Sequence, residues 1–193
     1  MRSRKPFLPP VLPISRRNNK KRPLESVKLF AGLLFSEPQV FEEAKARLSK
    51  KFGPIDLESG VFGFDHTDYY SGEMGEGLKR KFLSFQKLKN AEALFAAKRY
   101  TNSLEDTLSA SERRRVNIDP GYLTLGKVVL FSTKDYTHRV YLKKGIFAEV
   151  TLYYKNGSYT PWDWTYPDYK TEGYIQFFNQ ARNRYAEDLK RPK

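Results

Sequence analysis

The stretch VKLFAGLLFSEPQVFEEAKARLSKKFGP, residues 27–54, joins two patterns of different period. Residues 27–35 form a short continuous apolar run, which is typical of a buried strand. From Pro38 onward the apolar residues recur at helical spacing, and Gly53 and Pro54 supply a stop signal. Residues 36–39 have the S-x-x-Q form of a capping box, with proline in the first turn. A strand leading directly into a helix indicates a fold that mixes α and β.

The rest of the chain continues this alternation. The next patterns in order are two strands at 55–65 and 78–88, a helix at 91–108 capped by Asn90, and a strand at 116–119. Pro120-Gly121 is typical of a type II turn, and residues 123–132 favour a strand over the alternative of a short helix capped by Thr124. A hairpin at 138–154 and a helix at 171–189 follow. We therefore predict an α+β fold, with the order of a ferredoxin-like βαββαβ core and an added C-terminal β-hairpin and helix.

Two elements allow predictions at the level of side chains. In helix 91–108 the expected buried stripe is Leu94, Ala97, Thr101, Leu104 and Leu108, and the expected polar face is Lys98, Arg99, Asn102 and Glu105. In the hairpin, residues 143–145 form a three-residue loop with Gly145 left-handed. The facing pairs are then Leu142 with Ile146, Val140 with Ala148, and Arg139 with Glu149.

Composition sets the class of protein. The 193 residues contain no cysteine, which excludes a disulfide partner, a thiolate metal site and a cysteine nucleophile. No apolar run approaches the roughly 18 residues of a membrane span. We expect a cytoplasmic protein whose single α+β domain covers residues 25–189.

The net charge of +13 is concentrated in the first 24 residues. That segment contains eight Lys and Arg and no acid, so 27 bases and 22 acids remain for the rest of the chain. Its five prolines resist helix formation, and we expect a disordered basic tail over 1–24. Two interpretations stay open: an arm that binds an anionic polymer or membrane headgroups, and an extension without function, which includes a start codon placed too far upstream.

Several nucleotide and hydrolase motifs are absent from the sequence. There is no G-x-x-x-x-G-K-[ST] loop, no G-x-G-x-x-G after a strand, and no G-x-S-x-G elbow. With only two histidines, the sequence argues against a His-rich zinc site as well. A phosphate would therefore be held by side chains.

Three groups of residues remain as candidates. The Gly-rich loop 65–77 contains Asp65, Asp68 and Glu73, whose carboxylates suit Mg²⁺; the alternative is a solvated acidic loop. Arg114 and Arg115, beside Asn117 and Asp119 on one strand face, suit a phosphate; the alternative is a cluster paired with acids at 105, 106 and 112. His138 and Arg139 suit proton transfer and anion binding; the alternative is a surface histidine at a hairpin end.

The aromatic segment 159–169 offers a fourth candidate. Its rings, including Trp164, lie close in sequence to basic residues and suit stacking on a nucleobase. The alternative is that they cover a sheet face and belong to the core. We expect this Pro-rich segment to lack regular structure.

Eight sequence blocks carry a resemblance to a known family. They are VKLFAGLLF, FDHTDYYSGEMG, LKRKFLSF, TNSLE, RRVNIDPGYLTLGK, HRVYL, AEVTLYY and WTYPDYK. Together they resemble the bacterial domain-of-unknown-function family forty-four sixteen (DUF4416) over about residues 27–185. Some members carry the label "GTP-binding protein", so the resemblance implies nucleotide binding. Residues at its polar blocks include Asp65, Asp68, Glu73, Asn102, Arg114, Arg115, Asn117, Asp119, His138, Arg139 and Asp168.

Three functional hypotheses follow. The first is a binding protein for a phosphate-bearing ligand, a nucleotide such as GTP or an RNA. Its ligand-binding residues would be Asn102, Arg114, Arg115, Asn117, Arg139 and Trp164, with Mg²⁺ held by Asp65, Asp68 and Glu73. The second is a hydrolase or transferase that acts on such a ligand with Asp119 and His138 as proton carriers. The third is a non-catalytic assembly protein in which the same charges form structural pairs.

Overall fold

The computed structural model describes residues 26–64, 71–110 and 113–191. The strands are β1 (Lys28–Phe35), β2 (Ile55–Glu58), β3 (Phe62–Gly63), β4 (Lys79–Phe85), β5 (Val116–Leu123), β6 (Lys127–Ser132), β7 (Val140–Lys143), β8 (Ile146–Lys155) and β9 (Ser158–Pro161). The α-helices are α1 (Pro38–Phe52), α2 (Ser71–Met74), α3 (Phe95–Leu108) and α4 (Glu172–Asp188). The predicted α+β class is confirmed, and the ferredoxin-like core stays a prediction.

The strands form one antiparallel sheet. Its order is β2-β4-β1-β5-β6-β8-β7, with β3 paired to β4 and β9 paired to β8. Strand β1 lies inside the sheet, between β4 and β5, and all eight of its residues are buried. This placement explains why residues 27–35 read as a continuous apolar run rather than an alternating one.

Helices cover both faces of the sheet. One core cluster joins α1 and α3 to Leu29, Leu33 and other residues of β1, and a second joins α4 to Phe30 and Phe82. Because successive strand residues point to opposite faces, β1 contributes to both clusters. Among the described residues, none of the helices combines the length and apolar composition that a membrane crossing requires.

Two predictions about helices need correction. Helix α1 begins after Glu37, whose side chain makes no capping bond, so the predicted capping box is wrong. Helix α3 has the predicted buried stripe, but Lys98 and Glu105 are also buried instead of lying on an exposed face. Both side chains turn towards β5, where they have polar partners.

The C-terminal hairpin follows the prediction in part. Val140 pairs with Ala148, and Gly145 is left-handed with φ 75°, as expected. Lys143 pairs with Ile146 because the register shifts between residues 141 and 143, so the predicted pair of Leu142 with Ile146 is wrong. The expectation that segment 159–169 is irregular is also wrong in part, because β9 and a short 3-10 helix at Pro167–Lys170 occupy it.

Strand β5 gives the correction that matters most for the site. Pro120 and Gly121 do not form a turn; they pair with Ala31 and Phe30 inside the strand. β5 pairs with β6 only over residues 121–123, which face residues 128–130. Before this contact β5 pairs with β1 alone, and after it β6 pairs with β8 alone. The two strands therefore diverge within the sheet.

Candidate ligand-binding cleft

The divergence of β5 and β6 leaves a cavity of about 580 Å³. We call this cavity the cleft. Its walls come from β4, α3, β5, β6, β8 and the segment 166–169. The charged and amide residues that line it are Arg80, Lys98, Asn102, Glu105, Asp106, Arg114, Asn117, Asp119, Lys134, Arg139, Glu149 and Asp168.

Helix α3 supplies hydrogen bonds to the edge of β5 that β6 leaves unpaired. The Oε1 atom of Glu105 accepts from the backbone N–H of Ile118 at 2.8 Å. The Nζ atom of Lys98 donates to the backbone carbonyl of Ile118 at 2.9 Å. Buried backbone groups require such partners, and this requirement explains why two ionisable residues lie in the buried stripe of α3.

The inner end of the cleft is built around Arg80 of β4, which is only 3% exposed. Its Nη1 atom donates to Oδ2 of Asp119 at 3.2 Å, and its Nη2 atom lies 3.9 Å from Oδ2 of Asp168. Asn117 donates from Nδ2 to the same oxygen of Asp119 at 2.8 Å. Arg80, Asp119 and Asp168 therefore form a fixed ion-pair network at the floor.

Two carboxyl groups of the cleft have pKa values shifted in opposite directions. Burial opposes ionisation of Asp119, but Lys98 and Arg80 outweigh it, and the pKa of Asp119 lies below its ordinary value. Burial raises the pKa of Glu105 to about 7, although Lys98 and the Ile118 N–H counteract part of the shift. At neutral pH Asp119 is ionised, and Glu105 is divided between its two protonation states.

Arg139 and two tyrosines form the outer rim. Arg139 donates to Oε2 of the buried Glu149 at 2.8 Å, to Oγ of Ser132 at 2.8 Å and to the hydroxyl of Tyr166 at 3.3 Å. Its guanidinium carbon lies 4.8 Å from the ring centroid of Tyr136. Both tyrosines are exposed. The expected pairing of Arg139 with Glu149 is confirmed.

Arg114 joins the rim on the β5 side. It donates from Nη1 to Oδ1 of Asn117 at 3.1 Å, and its Nε atom lies 3.4 Å from Oε1 of Glu73. The same Nη1 atom lies 3.8 Å from Oε2 of Glu105. Arg114 thus connects α2 to the wall formed by α3.

The predicted site residues are distributed unevenly around the cleft. Those that line it are Asn102, Arg114, Asn117, Asp119 and Arg139. His138 does not line the cleft, and its Nε2 atom lies 3.0 Å from Oε2 of Glu149, which does. Glu73 contacts the cleft only through Arg114. Asp65 and Asp68 lie outside the described residues, so the Mg²⁺ prediction stays a prediction.

Two further predicted residues lie away from the cleft lining. Arg115 makes a two-pronged ion pair with Glu37, at 2.8 Å and 2.5 Å. Trp164 is half exposed and stacks on Trp162, with ring centroids 5.0 Å apart. Within the described part of the chain, no group of three or more histidine, aspartate or glutamate residues is placed to hold a metal ion.

The sequence reasoning missed Arg80, Lys98 and Glu105 as residues of the cleft, although a signal for each is present. Lys98 and Glu105 are seven residues apart, two helical turns, and both fall on the face that contains Thr101. Arg80 is two residues from the buried Phe82, so strand alternation places it on an apolar face. In each case the sequence signal for a cleft residue is a charged side chain at a position whose neighbours on the same face are buried.

Comparison with known proteins supplies a family. No curated protein and no solved structure matches the chain. A family model described as a domain of unknown function (DUF4416) matches residues 25–185. This match confirms the resemblance seen in the sequence blocks and includes every element from β1 to most of α4. The chain therefore belongs to the domain-of-unknown-function family DUF4416.

Proposed function

We propose that this protein binds a phosphate-bearing ligand of nucleotide size in the cleft between β5 and β6. The observation that carries the proposal is the cavity of about 580 Å³, whose lining combines the buried Arg80 with the exposed rings of Tyr136 and Tyr166. Ligand pockets for small molecules commonly measure about 300–1,000 Å³ and place a few polar groups within a largely apolar wall.

The arginines of the cleft suit an anionic group. Three arginines line the cleft: Arg80 in β4, Arg114 just before β5 and Arg139 just before β7. Each donates a hydrogen bond to a carboxylate or amide oxygen. A guanidinium group fixed in this way presents its N–H groups in a set geometry, and less side-chain entropy is lost when a ligand binds. The phosphate would be held by these side chains, since the chain has no Walker loop.

The tyrosines of the rim suit a flat ring. Tyr136 and Tyr166 are 49% and 42% exposed, and both line the cleft. Exposed aromatic faces beside a guanidinium group are a common platform for a nucleobase. A cavity of about 580 Å³ has the size of a small-molecule site, so a free nucleotide is the ligand that we propose. RNA binding is therefore an alternative outcome of the experiment below.

Calorimetric titration with guanine and adenine nucleotides, with and without Mg²⁺, tests the proposal. Arg114→Ala should weaken binding about tenfold or more, because a charge-assisted hydrogen bond is lost. Arg115→Ala is the matched control, since Arg115 pairs with Glu37 and does not line the cleft. Equal losses in the two variants would contradict the proposal. Absence of binding, with a lower Tm in Arg114→Ala and Asp119→Ala, would favour the assembly protein instead.

A hydrolase or transferase is the second candidate, and Glu105 favours it. A general acid or base works best with a pKa near the operating pH, and burial raises the pKa of Glu105 to about 7 at the cleft wall. Asp119 would act as an ionised partner, and His138 would act through Glu149. Turnover of a nucleotide in the same titrations, lost in Glu105→Gln, would support this candidate; binding without turnover would support the first.

A further inference from the structure

Two buried donors at the floor of the cleft have no hydrogen-bond partner among the residues that the structure describes. The Nε atom of Arg80 and the hydroxyl of Tyr169 make no hydrogen bond to any other described residue. Arg80 is 3% exposed and Tyr169 is 4% exposed, and both line the cleft. Buried polar atoms are almost always hydrogen-bonded in folded proteins, so these two mark a place where a ligand atom or a water belongs.

Both groups are donors at neutral pH. Burial raises the pKa of Tyr169 well above its ordinary value, so its hydroxyl keeps its proton. Arg80 stays charged, as arginine does in proteins, and it has the carboxylates of Asp119 and Asp168 beside it. A pair of donors, one of them cationic, is matched by an acceptor that carries negative charge.

The net charge of the cleft lining limits how much negative charge on a ligand the cleft can accommodate. Five basic residues line the cleft: Arg80, Lys98, Arg114, Lys134 and Arg139. Five acidic residues oppose them: Glu105, Asp106, Asp119, Glu149 and Asp168. With every group ionised the lining is neutral, and with Glu105 protonated it carries one positive charge. A triphosphate would meet uncompensated carboxylates, whereas a single oxyanion suits the two unpaired donors.

We infer, on the basis of the proposed function, that the ligand is a nucleoside monophosphate whose phosphate is seated on Arg80 Nε and the Tyr169 hydroxyl. Its base then lies towards the rim formed by Tyr136 and Tyr166. The inference assigns the floor residues to phosphate recognition and predicts a preference for one phosphate over three.

Tyr169→Phe is the most direct test, because it removes one hydroxyl. The ring keeps its contacts with Phe82, Tyr174 and Phe178, and the lost hydroxyl has no partner among the described residues, so the fold should be retained. Titrations use guanosine 5′-monophosphate, guanosine and guanosine 5′-triphosphate without metal. The variant should bind the monophosphate about tenfold more weakly and guanosine unchanged. Wild type should bind the monophosphate at least as tightly as the triphosphate.

Tyr159→Phe is the matched control. Tyr159 is also buried, at 2% exposed, but it does not line the cleft, and its hydroxyl donates to the Thr124 carbonyl, so its variant should bind nucleotides like wild type. If Tyr169→Phe proves unstable in thermal denaturation, Arg80→Lys replaces it, since lysine keeps the charge for Asp119 and lacks the Nε donor. The monophosphate should again bind about tenfold more weakly.

The outcomes separate this inference from the proposed function. If Arg114→Ala weakens binding and Tyr169→Phe does not, the cleft binds nucleotides and the floor assignment is wrong. A triphosphate bound more than tenfold tighter than the monophosphate would also overturn the inference. If no nucleotide binds wild type, the proposed function fails and the inference fails with it.

Discussion

Glu105 shows how a single ionisable residue can serve both the fold and the cleft. Its carboxyl group accepts from the Ile118 N–H, which a neighbouring strand would otherwise bond. The same position puts it against Lys98, Arg114 and Asp119, in a site where burial raises its pKa to about 7. Because an unfolded glutamate titrates near 4.5, the residue couples the stability of the fold to pH.

The sign of this coupling gives a prediction. Between pH 4.5 and about 7 the folded state holds a proton on Glu105 that the unfolded state has lost, so the free energy of unfolding falls as pH rises. The contribution reaches about 3 kcal/mol over the interval. The Glu105→Gln variant should lack this pH-dependent contribution. Urea denaturation should therefore show that the free energy of unfolding of wild type falls relative to that of the variant between pH 5 and 7.5. A constant difference between the two proteins would contradict the raised pKa.

Arg114 and Arg115 show how much of the binding site a local sequence pattern predicts. Arg114 and Arg115 have the same chemistry and adjacent positions, yet Arg114 lines the cleft and Arg115 pairs with Glu37, 78 residues away. Local pattern predicts that a basic cluster lies at the start of β5. Which member meets the cleft depends on long-range partners that the pattern does not contain.

The divergence of β5 from β6 is the feature that creates the cleft, and Gly121 sits where the strands still touch. A Cβ atom at this position would lie 2.3 Å from the backbone oxygen of Val129 and 2.6 Å from the ring of Phe30. Only glycine allows this approach, which holds β6 against β5 at the inner end of the cleft. The paired residues 121–123 therefore act as the point from which the two strands separate.

Gly121→Ala should destabilise the protein by about 2–3 kcal/mol, because backbone must move to admit the methyl group. Gly126→Ala is the matched control, since nothing lies within 4 Å of a Cβ atom there. Thermal denaturation should show a clearly lower Tm for the first variant and little change for the second. Similar Tm values for both would mean that the close approach at Gly121 is not required.

Pro120 explains why the turn predicted at this position was wrong. Proline followed by glycine is a local turn signal, but here the strand continues. The N–H of Ile118 points away from β1 towards Glu105. By the two-residue period of a strand, the nitrogen of Pro120 points the same way, where β6 has not yet paired. The missing N–H of Pro120 therefore removes no inter-strand hydrogen bond. The place where β6 begins to pair depends on tertiary structure, which the local Pro-Gly signal does not contain.

The sequence pattern predicted the α+β class and most of the helices and strands, because hydrophobic periodicity reflects burial directly. The strand at residues 28–35, the helix at 38–52 and the helix at 172–188 appear close to where the pattern placed them. The cleft could not be predicted in the same way. It results from the order of strands in the sheet and from the separation of two neighbours, which involve residues far apart in the chain.

The charge of the molecule leads to the last prediction. Residues 1–24 contribute eight of the 35 Lys and Arg residues, outside the part of the chain that the family model matches. If they bind an anionic polymer, deleting them should weaken binding of single-stranded poly-uridine and reduce the salt slope of log K by up to about 6. Nucleotide binding should not change, because the lining of the cleft begins at residue 64. If the salt slope for poly-uridine does not change, residues 25–189 bind the polymer. If nucleotide affinity falls, residues 1–24 form part of the nucleotide site.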